Sequence, residues 1–399
     1  MKSQALLKVT DGNISEGEGG QCSGAEGFPP SGCTKDTLVS TSEGCFHSGG
    51  LHRLNKEPEV VTLDGLTVKS AGVGSGGVQD VFGLLTDSAY LKGTAFHKVL
   101  RITPECTSEM TALTALRKGD FVVYQKGILG SEIPAYNDDS LDVLDAQELG
   151  KYISNMSMNN TGGSDLYNSD KFHNKNSYFS INIYNILNKF DNFTYRVPEK
   201  LLCASGEFIA AYLRGYFDGG TRYHLNRITA TAACRELASD IVCLLSLFGI
   251  KGRITKLQSG FEVVISGTQD IHLFIKEIGF LNQHDFSSCR SEPAVSGIDY
   301  KKLYDEYRLK ASASSLKVRA LPDTITELTQ ELEEYKDSFT WLGMESKFNT
   351  LVLLSHAGCR ATEVTEYAKY TGRDEVFGVI VVSEAHTWCA NGIVVSDRD

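Results

Sequence analysis

From Cys33 to about Ile133 the chain runs in short stretches whose apolar positions recur every second residue. These are TLVST, EVVTLDG, LTVKSA, QDVFGLLT, HKVLRIT and DFVVYQKG, separated by Gly-containing turns. That period and spacing predict an all-β unit. Between residues 196 and 285 the period changes. Glu207–Phe217 has helical apolar spacing, and Arg227–Thr231 reads as a short strand. Arg235–Phe248 places Leu237, Ile241, Leu244, Leu245 and Phe248 on one helix face, with Gly249 at the C-cap. Strand-like Arg253–Leu257 and Phe261–Ile265 flank a Ser-Gly turn, and Asp270–Ile278 returns to helix. Charged helical stretches occupy about 299–370, and β character resumes over Glu375–Val395. β-rich ends around a central α/β segment are the pattern of one domain inserted into another.

The remaining segments carry less. Residues 1–32 are rich in Gly, Ser and Glu and read as a loop-rich leader. Residues 136–185 are polar and Asn-rich and read as a long loop. The run AGVGSGGV (72–78 within it) lacks the Lys-Ser/Thr of a phosphate loop and reads as a β-turn. Asn391-Gly392 has the signature of a hairpin turn.

Composition narrows the class. Of 399 residues, 41% are hydrophobic and 22% charged, which excludes a mostly disordered chain. A net charge of −11 excludes a uniformly basic nucleic-acid binder, so DNA contact would need a local basic face. No apolar run approaches a membrane span, and the start MKSQALLKVTDG has no secretory h-region. A cytoplasmic monomer away from membranes is the expectation. The ten cysteines include no CxxC pair, so free thiols are expected and structural zinc is not. Cys45, His47 and His52 lie close together but match no standard zinc spacing.

Three pieces carry a shared chemistry. They are Cys33 after Gly32, the run Gly93-Thr94-Ala95-Phe96-His97, and the tail Ala385-His386-Thr387-Trp388-Cys389-Ala390-Asn391-Gly392-Ile393-Val394-Val395-Ser396-Asp397. In this order and spacing they resemble the splicing blocks of inteins and related Hint domains. A thiol beside its own preceding carbonyl can attack it and move the acyl group from nitrogen to sulfur. The resemblance implies that Cys33 is the nucleophile, that His97 protonates the departing Cys33 nitrogen, and that Thr94 holds or polarises the Gly32–Cys33 peptide. His386 would assist at the far end, with Asp397 at the cyclising position. There the chain departs from the family: Ser396-Asp397-Arg398 stands where His-Asn and a Ser, Thr or Cys are usual, and Gly378 follows Phe377 where an Asp is frequent.

The segment that begins Arg196-Val197-Pro198-Glu199 and continues through Phe208-Ile209-Ala210-Ala211-Tyr212-Leu213-Arg214-Gly215-Tyr216-Phe217-Asp218-Gly219-Gly220 resembles the LAGLIDADG helix of DOD-type homing endonucleases. That family pairs two such helices through small residues, delivers a carboxylate from each to Mg²⁺, and lays its sheets in the DNA major groove. Glu148–Met156 is the best companion. The eighth position of the main motif is Gly220, and the companion lacks an acid in the right place, which leaves Asp218 as the candidate metal ligand. Arg222, Arg227, Arg253 and Lys256 are the candidate DNA contacts.

The expected fold class is therefore multidomain, an all-β Hint (intein) horseshoe interrupted by a degenerate α+β LAGLIDADG-type domain. The expected boundaries are 1–32 for an extein-like leader, 33–135 and 331–397 for the two Hint parts, 136–330 for the endonuclease-like domain, and 398–399 for extein-like residues. Expected partners are the flanking extein segments of the same precursor and double-stranded DNA. Self-processing needs no cofactor, whereas residual endonuclease activity would need Mg²⁺. Two rivals stay open: a non-catalytic relic or DNA-binding module, and an endonuclease still active through displaced acids.

Overall fold

The computed structural model describes residues 31–128, 142–159, 196–224, 227–281, 298–355, 359–384 and 386–398. The N-terminal strands are β1 (Cys33–Thr34), β2 (Leu38–Thr41), β3 (Gly44–His47), β4 (Glu59–Val61), β5 (Thr67–Thr86), β6 (Tyr90–Thr94), β7 (Lys98–Ile102), β8 (Ser108–Ala112) and β9 (Phe121–Gln125), with helix α1 (Ser48–Arg53) after β3. The middle of the chain holds helices α2 (Val143–Asn159), α3 (Glu199–Leu202) and α4 (Gly206–Gly220). Strands β10 (Thr221–His224) and β11 (Arg227–Ala232), helix α5 (Arg235–Leu247), strands β12 (Gly252–Leu257) and β13 (Gly260–Ser266) and helix α6 (Thr268–Glu277) follow. Next come α7 (Tyr300–Ala313), α8 (Ile325–Gln330), α9 (Lys336–Trp341) and α10 (Glu345–Ser355). The chain ends in strands β14 (Cys359–Val381), β15 (Thr387–Ala390) and β16 (Ile393–Ser396).

The two ends of the chain build one antiparallel sheet system. Its path runs β14-β1-β6-β5-β4-β2-β15-β16-β9-β7-β8, with β3 attached to β2. β14 is long enough to turn a corner. It pairs with β9 at Cys359–Glu363, with β5 along most of its length through several register shifts, and with β1 at Val376 and Phe377. Bulges of this kind bend a strand and strengthen its twist. The core between the faces is shared by both ends: Leu84, Leu91, Val99, Val122 and Tyr124 pack with Val364, Phe377, Val379, Trp388, Ile393 and Val395. Asn391 (φ 49°) and Gly392 (φ 81°) make the tight β15–β16 turn, as their sequence suggested.

The insert has its own core. A four-stranded sheet in the order β10-β11-β13-β12 is covered by α5 and α6 through Ile228, Ala230, Val263, Ile265, Leu237, Ile241 and Phe274. α2 and α4 lie backbone against backbone. A Cβ on Gly215 would sit 1.9 Å from the Gln147 carbonyl oxygen, and one on Gly150 would sit 2.1 Å from that of Tyr212. Only glycine permits that approach.

Several readings change. The AGVGSGGV run lies inside β5, paired to β14, where Gly72 (φ 105°) and Gly77 (φ 70°) accommodate kinks, so it is no turn. Within the Asn-rich stretch read as a loop, Val143–Asn159 is helical because its apolar face packs on α4; residues 160–185 lie outside the described residues. One strand was expected between the motif helix and α5, but β10 and β11 form a hairpin there, since TRYH is too short and polar to announce itself. A boundary drawn at residue 331 cuts through a helical core in which Leu303, Tyr307, Leu328, Phe339, Phe348 and Leu351 pack together, and the sheet resumes only at Cys359. Among the described residues no helix is long and apolar enough to cross a membrane.

Replacing Gly215 by Ala pushes a methyl into the Gln147 carbonyl and must part α2 from α4. The expected cost is about 1–3 kcal/mol, read as a lower urea midpoint by circular dichroism. An unchanged midpoint would contradict the direct backbone contact.

Candidate functional site

Cys33 begins β1 and is wedged between two strands, opposite Gly93 of β6 and Phe377 of β14. Its side chain is wholly buried. His97, on the turn between β6 and β7, points Nε2 at the Cys33 Sγ from 3.2 Å. Thr94 grips the preceding residue at both polar groups. Its N–H donates to the Gly32 carbonyl oxygen at 2.9 Å, and its Oγ1 accepts from the Gly32 N–H at 3.2 Å. A Cβ on Gly32 would lie 2.8 Å from the Phe377 carbonyl oxygen, so glycine is what lets the chain lie this close to β14. The Gly32 carbonyl is thus held and polarised by a backbone donor, the kind of contact an oxyanion site uses.

Burial pushes the Cys33 thiol far above its ordinary range, and the Asp36 charge adds to the rise. At rest the Cys33 sulfur is therefore a protonated thiol. The imidazole at 3.2 Å is the base within reach. Asp36 itself is taken out of water, which would raise its carboxyl, but Arg196 and then Lys92 overcome this and hold it far below the usual carboxylate range.

The other candidate end converges on the same strand. The Asp397 N–H donates to the His386 carbonyl oxygen at 3.0 Å, and the Val381 N–H, at the end of β14, donates to Asp397 Oδ2 at 2.8 Å. Asp397 Oδ1 lies 3.2 Å from His386 Nδ1, close but without hydrogen-bond alignment. His386 has φ 45°, an unusual conformation for a residue with a side chain. A carboxylate already accepting from Val381 is a poor nucleophile. Sequence reasoning missed this donor and the Asn391 side chain, which accepts from Leu38 N–H at 2.7 Å and donates to the Tyr90 carbonyl at 2.6 Å. None of these contacts leaves a local signal, because each joins distant segments.

In the insert, contact symmetry gives the register of the two motif helices. Gly150 stands to Tyr212 and Tyr216 as Gly215 stands to Gln147 and Lys151, so exchanging the helices maps Gly150 onto Gly215. The same exchange maps Asn155 onto Gly220, and neither is an acid. Asp218 lies two positions before Gly220; its Oδ2 accepts from the Leu281 N–H at 2.7 Å, and its buried Oδ1 has no protein partner. Among the described residues no group of three or more His, Cys, Asp or Glu side chains lies together as a metal site. Cys45, for its part, places its sulfur 3.8 Å from that of Cys243, and His52 Nδ1 lies 2.7 Å from the Val73 carbonyl oxygen.

The four expected DNA contacts do not share one face. Arg222, Thr229, Val264 and Arg253 occupy one row across the sheet, and Arg227 lies on the same side of β11 as Thr229. Strand alternation puts Lys256 on the other side from Arg253, where its Nζ is paired with Glu366.

Residues 207–279, from α4 through α6, match the LAGLIDADG-like domain family, and this unit is a LAGLIDADG-like domain. Among curated proteins, the chain is similar to a replication factor C small subunit of Pyrococcus horikoshii (28% identity over 184 residues, 40% of this chain and 21% of that protein). It is similar to the replication factor C small subunit of Thermococcus kodakarensis (33% over 218 residues, 47% and 24%). A probable translation initiation factor IF-2 of the same organism is 38% identical over 87 residues, 21% of this chain and 8% of that protein. The chain thus spans about a quarter or less of the length of these relatives. Among solved structures, it is similar to a DnaB intein from Synechocystis sp. PCC 6803 at 19% identity and TM-score 0.22, over 24% of this chain and 69% of that one.

Burial raises the thiols of Cys33, Cys203, Cys389 and, to about 12, Cys359. The folded chain keeps protons that the unfolded chain releases near pH ~8.5. Their contribution is complete below that pH and is lost as pH rises above it, by up to about 1.4 kcal/mol per pH unit per group. The urea midpoint should be flat from about pH 6.5 to 8 and fall clearly by about pH 10; a midpoint that holds at pH ~10 would contradict the raised thiols.

Proposed function

We propose that the chain is a self-processing, intein-like element whose β-rich ends form a Hint-type domain around the LAGLIDADG-like insert. The observation that carries this is the Cys33 Sγ at 3.2 Å from His97 Nε2, beside a Gly32 carbonyl held by the Thr94 N–H. Sulfur attacks the Gly32 carbonyl carbon while His97 takes the thiol proton. The Gly32–Cys33 C–N bond breaks, the proton passes from His97 to the Cys33 nitrogen, and a thioester remains. An external thiol or water then releases the segment ending at Gly32. The substrate is the flanking sequence of the same precursor, and no cofactor enters the step. Similarity confined to small parts of proteins named for unrelated tasks supports an inserted element.

The C-terminal step is the weaker one. Asp397 would have to leave the Val381 N–H to reach its own carbonyl, and Arg398 offers no hydroxyl or thiol to receive a branch. N-terminal cleavage is therefore the main outcome, and complete splicing is not.

A second reading concerns the insert. The LAGLIDADG-like match and the arginine positions along its sheet favour binding to double-stranded DNA. With Asn155 and Gly220 at the two motif ends, that binding proceeds without strand cleavage.

Fusing a folded tag before residue 1 and another after residue 399 and following intact mass tests the main reading. Dithiothreitol should release a fragment ending at Gly32, Cys33→Ala should abolish it, and His97→Ala should slow it by about 10²–10⁴-fold. Cleavage that persists in Cys33→Ala sinks the mechanism. For the insert, plasmid libraries with Mg²⁺ should show no nicking by the parent chain. Nicking that disappears in Asp218→Ala would instead establish an active site built on displaced acids.

A further inference from the structure

The residues just after the nucleophile are held by the insert. Thr34–Thr37 form a turn closed by the Thr37 N–H to the Thr34 carbonyl at 2.9 Å, and Asp36 projects from it. Arg196, on the segment leading into α3, reaches this turn twice: Nη1 donates to Asp36 Oδ2 at 2.8 Å, and Nη2 donates to the Asp36 carbonyl at 3.1 Å. The same guanidinium forks onto Asp240 of α5, with Nε to Oδ2 at 2.6 Å and Nη2 to Oδ1 at 2.7 Å. Asp240 also accepts from the Val197 N–H at 3.2 Å, and its side chain is 1% exposed. Lys92 completes the network with Nζ 3.0 Å from Asp36 Oδ2. Lys92 directly precedes Gly93, which pairs with Cys33, and stands two positions before Thr94, which grips Gly32.

One arginine therefore binds both the LAGLIDADG-like domain and the turn that sets where Cys33 stands. A planar five-donor fork does this, and an ammonium could serve only one side at a time. Buried charge networks of this kind are weak evidence for stability and better suited to fixing one geometry. We propose that Arg196 is a positioning residue for Cys33, so that self-processing depends on the docked LAGLIDADG-like domain. This rests on the reading that Cys33 attacks Gly32.

The test uses the full tagged chain and two readouts, the rate of thiol-stimulated cleavage after Gly32 and hydrogen exchange of peptides covering 33–38 and 235–247. The variant Arg196→Gln with Asp240→Asn removes both buried charges together. It should keep protection over α5, lose it at 34–37, and cleave about 10²-fold more slowly, the scale of a nucleophile displaced by about 1 Å. Arg196→Lys with Asp240→Asn restores a single pair to Asp36 and should recover most of the rate, which a role in global folding would not produce. Unchanged rate and protection, or a slow rate that the lysine does not rescue, overturns the proposal. Should the charge-neutral pair lose protection over α5 as well, Arg196→Lys alone decides by the same two readouts. Should the parent chain yield no fragment at all, the cleavage reading itself has failed. Exchange then decides the positioning claim: selective loss at 34–37 upholds it, and equal exchange ends it.

Discussion

The pairing of β14 with β1 is the constraint on which the rest of the site depends. β1 is only two residues long and could not hold its place by its own ladder. It is fixed because Phe377 of β14 lies opposite Cys33 on one side and Gly93 of β6 on the other. The same β14 ends at Val381, whose N–H binds Asp397. A strand from near the end of the chain thereby brings two segments more than 350 positions apart onto one ladder. The close fit of Gly32 against Phe377 follows from this: side-chain volume at residue 32 would push β1 off the strand that positions it.

Burial of Cys33 has two opposing consequences. It keeps the sulfur protonated and unreactive toward solvent, and it removes the water that would compete for the Gly32 carbonyl. In the proposed self-processing, reactivity depends on groups already aimed at Cys33 and Gly32, because a low-dielectric site strengthens each fixed dipole. The Thr94 N–H and the His97 ring are such groups. A more exposed cysteine would ionise more readily but would also be open to every electrophile in its surroundings.

How much of this was legible in the sequence depended on range. The β pattern of residues 33–125, the α4 and α5 helices and the Asn391-Gly392 turn each follow from local periodicity or turn chemistry, and the structure has them. Cys33, Thr94 and His97 could be picked out by order and spacing, and the fold brings all three together at Gly32. The misses involve contacts between distant segments. Arg196 stood out only as the start of the segment that resembles the LAGLIDADG motif, and its contacts had no marker, since its partners Asp36 and Asp240 are far away in the chain and each looks like an ordinary surface acid. Lys256 looked like one more local cation until strand alternation set it against Glu366. The glycines of AGVGSGGV suggested a turn because the partner strand that keeps them extended begins nearly three hundred residues later.

The two motif helices separate packing from chemistry. Gly150, Gly215 and Gly219 keep the backbones in contact, and each would clash if it gained a single carbon. The positions that correspond to each other at the motif ends, Asn155 and Gly220, hold no carboxylate. A helix pair can lose its acids without cost to folding, but it cannot lose its small residues, because those hold α2 and α4 together beneath the sheet. The insert's core in turn runs without a break into the β unit, where Leu38, Cys45, Leu85 and Tyr90 pack with Leu237, Ile241 and Leu245. Its α5 packs against β6, the strand that carries Thr94, where the Ser239 hydroxyl accepts from the Tyr90 N–H at 3.0 Å, so the LAGLIDADG-like scaffold is also a mechanical support for that strand.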